Sequence, residues 1–467
     1  MVFSSHIFVY YFLPIALLSY YLFPRQAKHF GLTLLSYLFY GWANPPFALL
    51  MFASTVIDYT CGHVISRSEH HRKRRLALTI SICSNLSLLG FFKYFNFGIS
   101  NFNAILGWLG LPIWESVLQV VLPLGISFYT FQSMSYTIDV YRGDAKAIRN
   151  FIDFACYVSM FPQLVAGPII RFSEVADQLK QRTHTLQKFA RGIAFFSLGM
   201  AKKVLLANPC GKCADTVFDA GIVSTLDAWY GTIAYAFQIY FDFSGYSDMA
   251  IGLGLMLGFT FPKNFDSPYH SESITEFWRK WHISLSSWLR DYLYIPLGGN
   301  RRGQTRTYVN LALVMLLGGL WHGASWNFII WGGIHGGMLA LERNRGKTSY
   351  YNSLPKLLRV TATFLLVLIT WVFFRAGGLT HALTYLRCMF SSANVQPATD
   401  LIAGILYQPY YLLTMGIAGI IVWGFPQTWE WTQKLTPIRM GVCFLLFLLS
   451  LAVLSTQAYN PFIYFIF

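Results

Sequence analysis

Charge is what this sequence has least of. Only 12% of its 467 residues are charged, against about 25% in soluble globular domains. With 55% hydrophobic residues and a mean hydropathy of +0.45, that shortage excludes an ordinary soluble fold. Acidic residues are scarcer still, 20 against 35 Lys and Arg, which leaves a formal charge of +15. In a soluble protein such a balance would point to nucleic acid. Here it follows from cationic loops beside a membrane, and no base-reading module is present, so lipid rather than nucleic acid is the expected contact. Cysteine is sparse and odd in number, seven in all, which excludes a disulfide scaffold. Cys210-Gly-Lys-Cys213 has redox or half-zinc spacing, but no second pair or histidine cluster completes it, so no metal site is expected. A G-x-S-x-G elbow, a Walker A loop, H-E-x-x-H and a placed G-x-G-x-x-G are all missing, which disfavours soluble-type hydrolase, ATPase, metalloprotease and dinucleotide chemistry.

What the chain does have is apolar runs of spanning length. At about 20 residues per crossing, helices are expected near 7–24, 29–43, 46–66, 76–99, 151–166, 189–207, 228–243, 246–262, 307–321, 326–342, 357–376, 404–424 and 438–457. The expected fold is therefore an all-α polytopic membrane protein of about 11–13 transmembrane or re-entrant helices, a single domain over 1–467. Ile7 to Phe23 reads as the first span rather than a removed signal. Val121 to Phe131, interrupted by Pro123 and Gly125, reads as a broken or re-entrant piece. Arg25 and Lys28 follow the first helix, Ala43-Asn44-Pro45-Pro46 follows the second without charge, and Arg67 with Arg72 to Arg75 follows the third. This alternation places the amino terminus outside and the 67–75 loop in the cytoplasm.

Residues 267–296 are too polar to span and read as an amphipathic or re-entrant segment. At about 100° per residue, Trp278, Trp281, Leu285, Trp288, Leu289 and Tyr292 fall on one arc, Glu276, Arg279, Lys280 and Arg290 opposite, and His282 at the edge. Ser273 or Thr275 caps its start, with Glu276 in the first turn.

Ionisable groups inside apolar sequence are costly and therefore informative. His322 ends the run Asn310 to Trp321 beside Gly318, Gly319 and Gly323. Its imidazole can move a proton from a hydroxyl to a leaving thiol, or can be a satisfied structural group. His335 lies thirteen residues on. In one continuous helix that is a rotation of about 220°, so the two rings do not pair, and hydrogen-bonded packing is expected for His335. Asp242 and Asp248 either orient a histidine or a turn, or form a polar hinge between two helices.

Phe277-Trp-Arg-Lys-Trp-His282-Ile-Ser-Leu-Ser-Ser-Trp-Leu-Arg-Asp-Tyr292, followed by Leu320-Trp-His322-Gly-Ala-Ser-Trp326, resembles the signature of the membrane-bound O-acyltransferase superfamily. Tyr240-Phe-Asp-Phe-Ser-Gly-Tyr-Ser-Asp-Met-Ala250 and the opening Met1-Val-Phe-Ser-Ser5 are similar to its bacterial branch, of the alginate O-acetyltransferase membrane-subunit type. The resemblance implies a helical ring around a central tunnel, with His322 as catalytic histidine and His282 as the second site histidine. Trp321, Trp278 and Trp281 become tunnel or anchor residues, and Asp242 a supporting one. Asn327 or the backbone at Gly323 becomes the oxyanion donor, and Lys280, Arg301 and Arg302 become candidates for meeting the donor's phosphates. The implied reaction moves an acetyl group from a cytoplasmic thioester, acetyl-CoA, across the bacterial inner membrane for O-acetylation of an exopolysaccharide such as alginate. A periplasmic SGNH-type acetyltransferase or another polysaccharide-modification subunit is the implied partner. D-alanyl transfer to teichoic acid and a non-catalytic transporter of acyl groups or lipid-linked sugar are the competing readings.

Overall fold

The computed structural model describes residues 2–42, 44–114, 118–391 and 400–463, so Met1 and Ala43 of the readings above lie outside the described residues. The described residues are helical, with no strand among them, as the composition requires of a chain in lipid, where each backbone group must be satisfied within its own segment. They divide into two compact units, Ile7–His184 with Leu257–Phe261, and Thr185–Met256 with Pro262–Phe467 and Phe3–His6. Among the described residues, four helices are long and apolar enough to cross a membrane, Pro45–Arg67, His71–Trp108, Lys356–Arg375 and Pro437–Thr456, and Ile7–Leu22 and Pro409–Gly424 are shorter apolar helices. The all-α polytopic class holds.

The first unit contains α1 (Leu13–Leu22), α2 (Lys28–Gly41), α3 (Pro45–Arg67), α4 (His71–Trp108), α5 (Ile126–Arg142), α6 (Phe151–Ser159), α7 (Phe161–Leu164) and α8 (Phe172–Lys180). Two expectations change here. The segment broken by Pro123 and Gly125 leads into a regular helix, α5, because Gly125 takes a left-handed φ of 75° immediately before it. The helix expected at 151–166 is interrupted at Met160, leaving a nine-residue and a four-residue piece, the second starting with Pro162 in its first turn. A buried carboxylate ties α3, α4 and α5 together. Asp58 accepts from Ser81 Oγ at 2.6 Å, Ser133 Oγ at 2.5 Å and Asn85 Nδ2 at 2.8 and 2.9 Å. Those donors come from the two neighbouring helices and replace the water that a bilayer lacks.

The second unit contains α9 (Leu186–Ala201), α10 (Asn208–Phe218), α11 (Thr225–Met256), α12 (Ile274–Lys280), α13 (Ile283–Leu289), α14 (Gln304–His322), α15 (Trp326–Asn344), α16 (Lys356–Arg375), α17 (Leu379–Phe390), α18 (Asp400–Leu406), α19 (Pro409–Gly424), α20 (Thr428–Trp431) and α21 (Pro437–Thr456). Instead of two helices parted by a polar hinge at Asp242 to Asp248, α11 runs unbroken for 32 residues. Its path against α9 is set by two glycine pairs. A Cβ on Gly199 would lie 2.5 Å from the carbonyl oxygen of Gly245, and one on Gly192 would lie 2.7 Å from that of Gly252. Both pairs are seven residues apart on their helices, so the same face meets twice.

Gly199→Ala is expected to destabilise the chain by about 1–3 kcal/mol, because backbone cannot retreat as a side chain does. Gly416, in α19, has nothing near its missing Cβ, so Gly416→Ala should be neutral or slightly stabilising. Thermal unfolding of the detergent-solubilised variants checks the contrast.

Candidate active site

The site is carried by the bend between α12 and α13 and by the hairpin of α14 and α15. Ser273 Oγ accepts from Glu276 N at 3.1 Å to cap α12, as its spacing predicts. Glu342, a buried residue near the end of α15, adds a charged cap by accepting from Ile274 N and Thr275 N, both at 2.8 Å. The segment is not one amphipathic helix. It breaks at His282, which adopts a left-handed φ of 45° and ψ of 55°. The apolar arc survives, since Trp281, Leu285, Trp288 and Leu289 are all buried, but the break turns His282 from the edge of that arc to full burial. Left-handed backbone costs a non-glycine residue about 1–2 kcal/mol, so neighbouring contacts must hold it.

His322 is the last residue of α14, and Gly323 follows in extended conformation. The hairpin is tight because a Cβ on Gly319 would meet Phe328 O at 2.2 Å and one on Gly332 would meet Met315 O at 2.3 Å. The glycines therefore serve helix approach, and Gly323 faces the Phe328 ring. His322 sits in an aromatic cage, with ring centroids 5.1 Å from Trp321, 5.4 Å from Trp331, 5.1 Å from Phe374 and 6.5 Å from His282. A small cavity of about 10 Å³ opens beside it, walled by Phe243, Trp281, Trp331, Trp371 and Phe374. That is room for about one water.

The structure thus brings His322, His282, Trp321 and Trp281 together. Trp278 instead donates from Nε1 to His335 Nδ1 at 3.2 Å, and His335 Nε2 lies 3.1 Å from Thr370 Oγ1, so both ring nitrogens of that histidine are hydrogen-bonded. Asn327 donates to Ala376 O at 2.7 Å. Lys280 is paired with Glu276 at 2.7 Å, and Arg301 and Arg302 lie on an exposed turn; none of the three lines the cavity beside His322. Cys210 and Cys213 are buried in apolar packing against Met415 and Tyr230. Asn264, Ser284, Trp331, Trp371 and Phe374 were not legible as site residues. The aromatic ones look like any apolar position, and Asn264 meets the bend only through tertiary contact.

Asp242 holds neither a histidine nor a hinge. It pairs with Lys203 at 2.8 Å, both residues being buried, and also accepts from Ile463 N at 2.8 Å, while the next lysine, Lys202, takes Asp248 at 2.7 Å. Lys203 also donates to Pro461 O. Both lysines sit on the π-helical turn Lys202–Ala207 that links α9 to α10. Lys203→Met alone leaves a buried carboxylate without its cation, and a loss of about 3–5 kcal/mol is expected. The double variant Lys203→Met, Asp242→Leu should recover much of it, read by thermal melting and membrane abundance.

The profile of the membrane-bound O-acyltransferase family matches residues 145–373, a stretch that contains both His282 and His322. The chain is 46% identical to the probable alginate O-acetylase AlgI of Pseudomonas putida over 492 aligned positions, covering all of both proteins. It is 39% identical to the peptidoglycan O-acetyltransferase of Helicobacter pylori over 83% of this chain and 80% of that one. Similarity to the teichoic acid D-alanyltransferase of Streptococcus thermophilus is 32% over 46% of this chain and 55% of that one. The chain with this caged histidine pair belongs to the membrane-bound O-acyltransferase family and is a multi-pass membrane O-acyltransferase.

Proposed function

We propose that this chain takes an acetyl group from acetyl-CoA at the cytoplasmic side of the bacterial inner membrane and passes it across for O-acetylation of alginate. The observation that carries this reading is the end-to-end 46% identity to a probable alginate O-acetylase, with the buried His322 and His282 placed together at 6.5 Å. In the proposed step the acceptor hydroxyl attacks the thioester carbonyl while His322 takes the hydroxyl proton. The C–O bond forms, the C–S bond breaks, and the imidazolium returns the proton to the departing thiolate. Burial among aromatic rings excludes the bulk water that would compete as acceptor. Asn327, which keeps a second amide hydrogen beyond the one given to Ala376, serves as the oxyanion donor, while the Gly323 N–H is spent on Gly319 O at 3.3 Å. Arg301 and Arg302, on their exposed turn, supply the positive charge for the donor's phosphates, and Lys280 joins them only by leaving its pair with Glu276. The loop charges support a periplasmic amino terminus, and an SGNH-type acetyltransferase on that side is the proposed partner that modifies the polymer. D-alanyl transfer has support from less than half of the chain.

Membranes carrying the wild type, His322→Ala or His282→Ala at equal abundance should be given acetyl-labelled CoA, and label followed into periplasmic protein and polysaccharide. His322→Ala is expected to lose about 10²–10⁴-fold in rate. Full labelling in that variant overturns the assignment of His322, and labelling from a D-alanyl carrier thioester but not from acetyl-CoA overturns the donor.

A further inference from the structure

The left-handed bend at His282 is gripped by one residue from a preceding loop. The backbone carbonyl of Asn264 accepts from Ile283 N at 2.9 Å, and two residues on, Asp266 N donates to Lys280 O at 2.9 Å, so backbone bonds bracket the bend on both sides. The Asn264 side chain closes it, with Oδ1 lying 3.3 Å from Ser284 N, 2.9 Å from Ser284 Oγ and 3.2 Å from His282 Nδ1. Ser284 Oγ lies 3.5 Å from His282 Nδ1 but closer, at 2.9 Å, to Asn264 Oδ1, to which it donates, and these contacts together place the hydrogens. A peptide N–H only donates, so the amide atom facing Ser284 N is the oxygen, and an amide oxygen only accepts. In the neutral ring the hydrogen therefore sits on Nδ1, and Nε2 carries the lone pair. Nε2 is buried with no hydrogen-bond partner among the described residues, and its ring is a neighbour of His322. His335, by contrast, has both nitrogens occupied.

We propose that Asn264 is the positioning residue of the active site: it holds the bend and the tautomer of His282, so that Nε2 is kept as a bare hydrogen-bond acceptor beside His322, while His322 itself takes the proton of the acyl acceptor's hydroxyl. This rests on the acyl-transfer reading above. Asn264 itself touches no reacting atom. It also lines a second, polar cavity with Lys202, Asp248 and Lys263, where Lys202 is paired with Asp248 at 2.7 Å and Lys263 with Asp266 at 2.7 Å; an aspartate at 264 keeps the accepting oxygen in that polar setting.

The test compares the full chain in membranes as wild type, Asn264→Leu, Asn264→Asp and His282→Gln, using acetyl-labelled CoA and membrane abundance, together with ¹⁵N-histidine spectra of wild type and His282→Gln to assign the His282 ring. Asn264→Leu is expected to lose about 100-fold in kcat with KM for acetyl-CoA changed less than about twofold. Asn264→Asp should keep kcat within about tenfold of wild type, and Asn264→Leu combined with His282→Gln should be no slower than the slower single variant. The wild-type spectrum should show hydrogen on Nδ1 and a bare Nε2. Wild-type kcat in Asn264→Leu, or equal loss in the Leu and Asp variants at normal abundance, overturns the proposal. If Asn264→Leu does not accumulate, hydrogen on Nε2 in the wild-type spectrum overturns it instead, and hydrogen on Nδ1 supports it. Absence of transfer from acetyl-CoA in the wild type removes the donor assignment, and the spectrum then decides the role of Asn264 separately.

Discussion

A bilayer offers a polar group nothing to bond to, so every buried donor, acceptor or charge inside such a protein must be answered from within the chain. That constraint organises both units. In the first, Asp58 draws Ser81, Asn85 and Ser133 to itself and so fixes how α3, α4 and α5 meet. In the second, the Asp242 and Lys203 pair joins α11 to the turn after α9, and Glu342 ties the start of α12 to the end of α15. Each bond is local, yet together they set which helices are neighbours before any apolar packing is considered.

Apolar packing then proceeds where small residues permit it. Lipid is as apolar as leucine, so helices gain little from simply hiding side chains from it and gain more from close contact. The crossing of α9 and α11 at paired glycines is one such contact, and the hairpin of α14 and α15 at Gly319 and Gly332 is the other. The second is the one with chemical consequence, because it delivers His322 at a helix end with Trp331 from the facing helix already against its ring.

The membrane class was legible from composition because hydropathy adds up along a chain. His322 was legible because an imidazole among glycines and leucines is costly, and the cap at Ser273 because its partner lies three residues away. What escaped was whatever depends on a distant partner. The periodicity of 274–292 continues smoothly through His282, so no pattern marks the left-handed residue, and Asn264, which holds it, stands in an unremarkable polar loop. Asp242 and Asp248 looked like a hinge because their lysines are about forty residues upstream. Without those partners in view, two carboxylates in an apolar run resemble a break, whereas with them the helix has no reason to stop. The histidine signature itself was read by resemblance, and of the aromatic rings that wall it in the same resemblance supplied only Trp281 and Trp321.

That wall is close-packed and leaves space for about one water beside His322. Interiors of this density register a single added methylene, and here five broad rings, together with the β-branched Ile239 and Ile463, make the boundary. The space beside the histidine is accordingly sensitive to the size of whatever enters it. Any group larger than a water molecule that reaches the imidazole has to push a ring or an isoleucine out of contact with its neighbours.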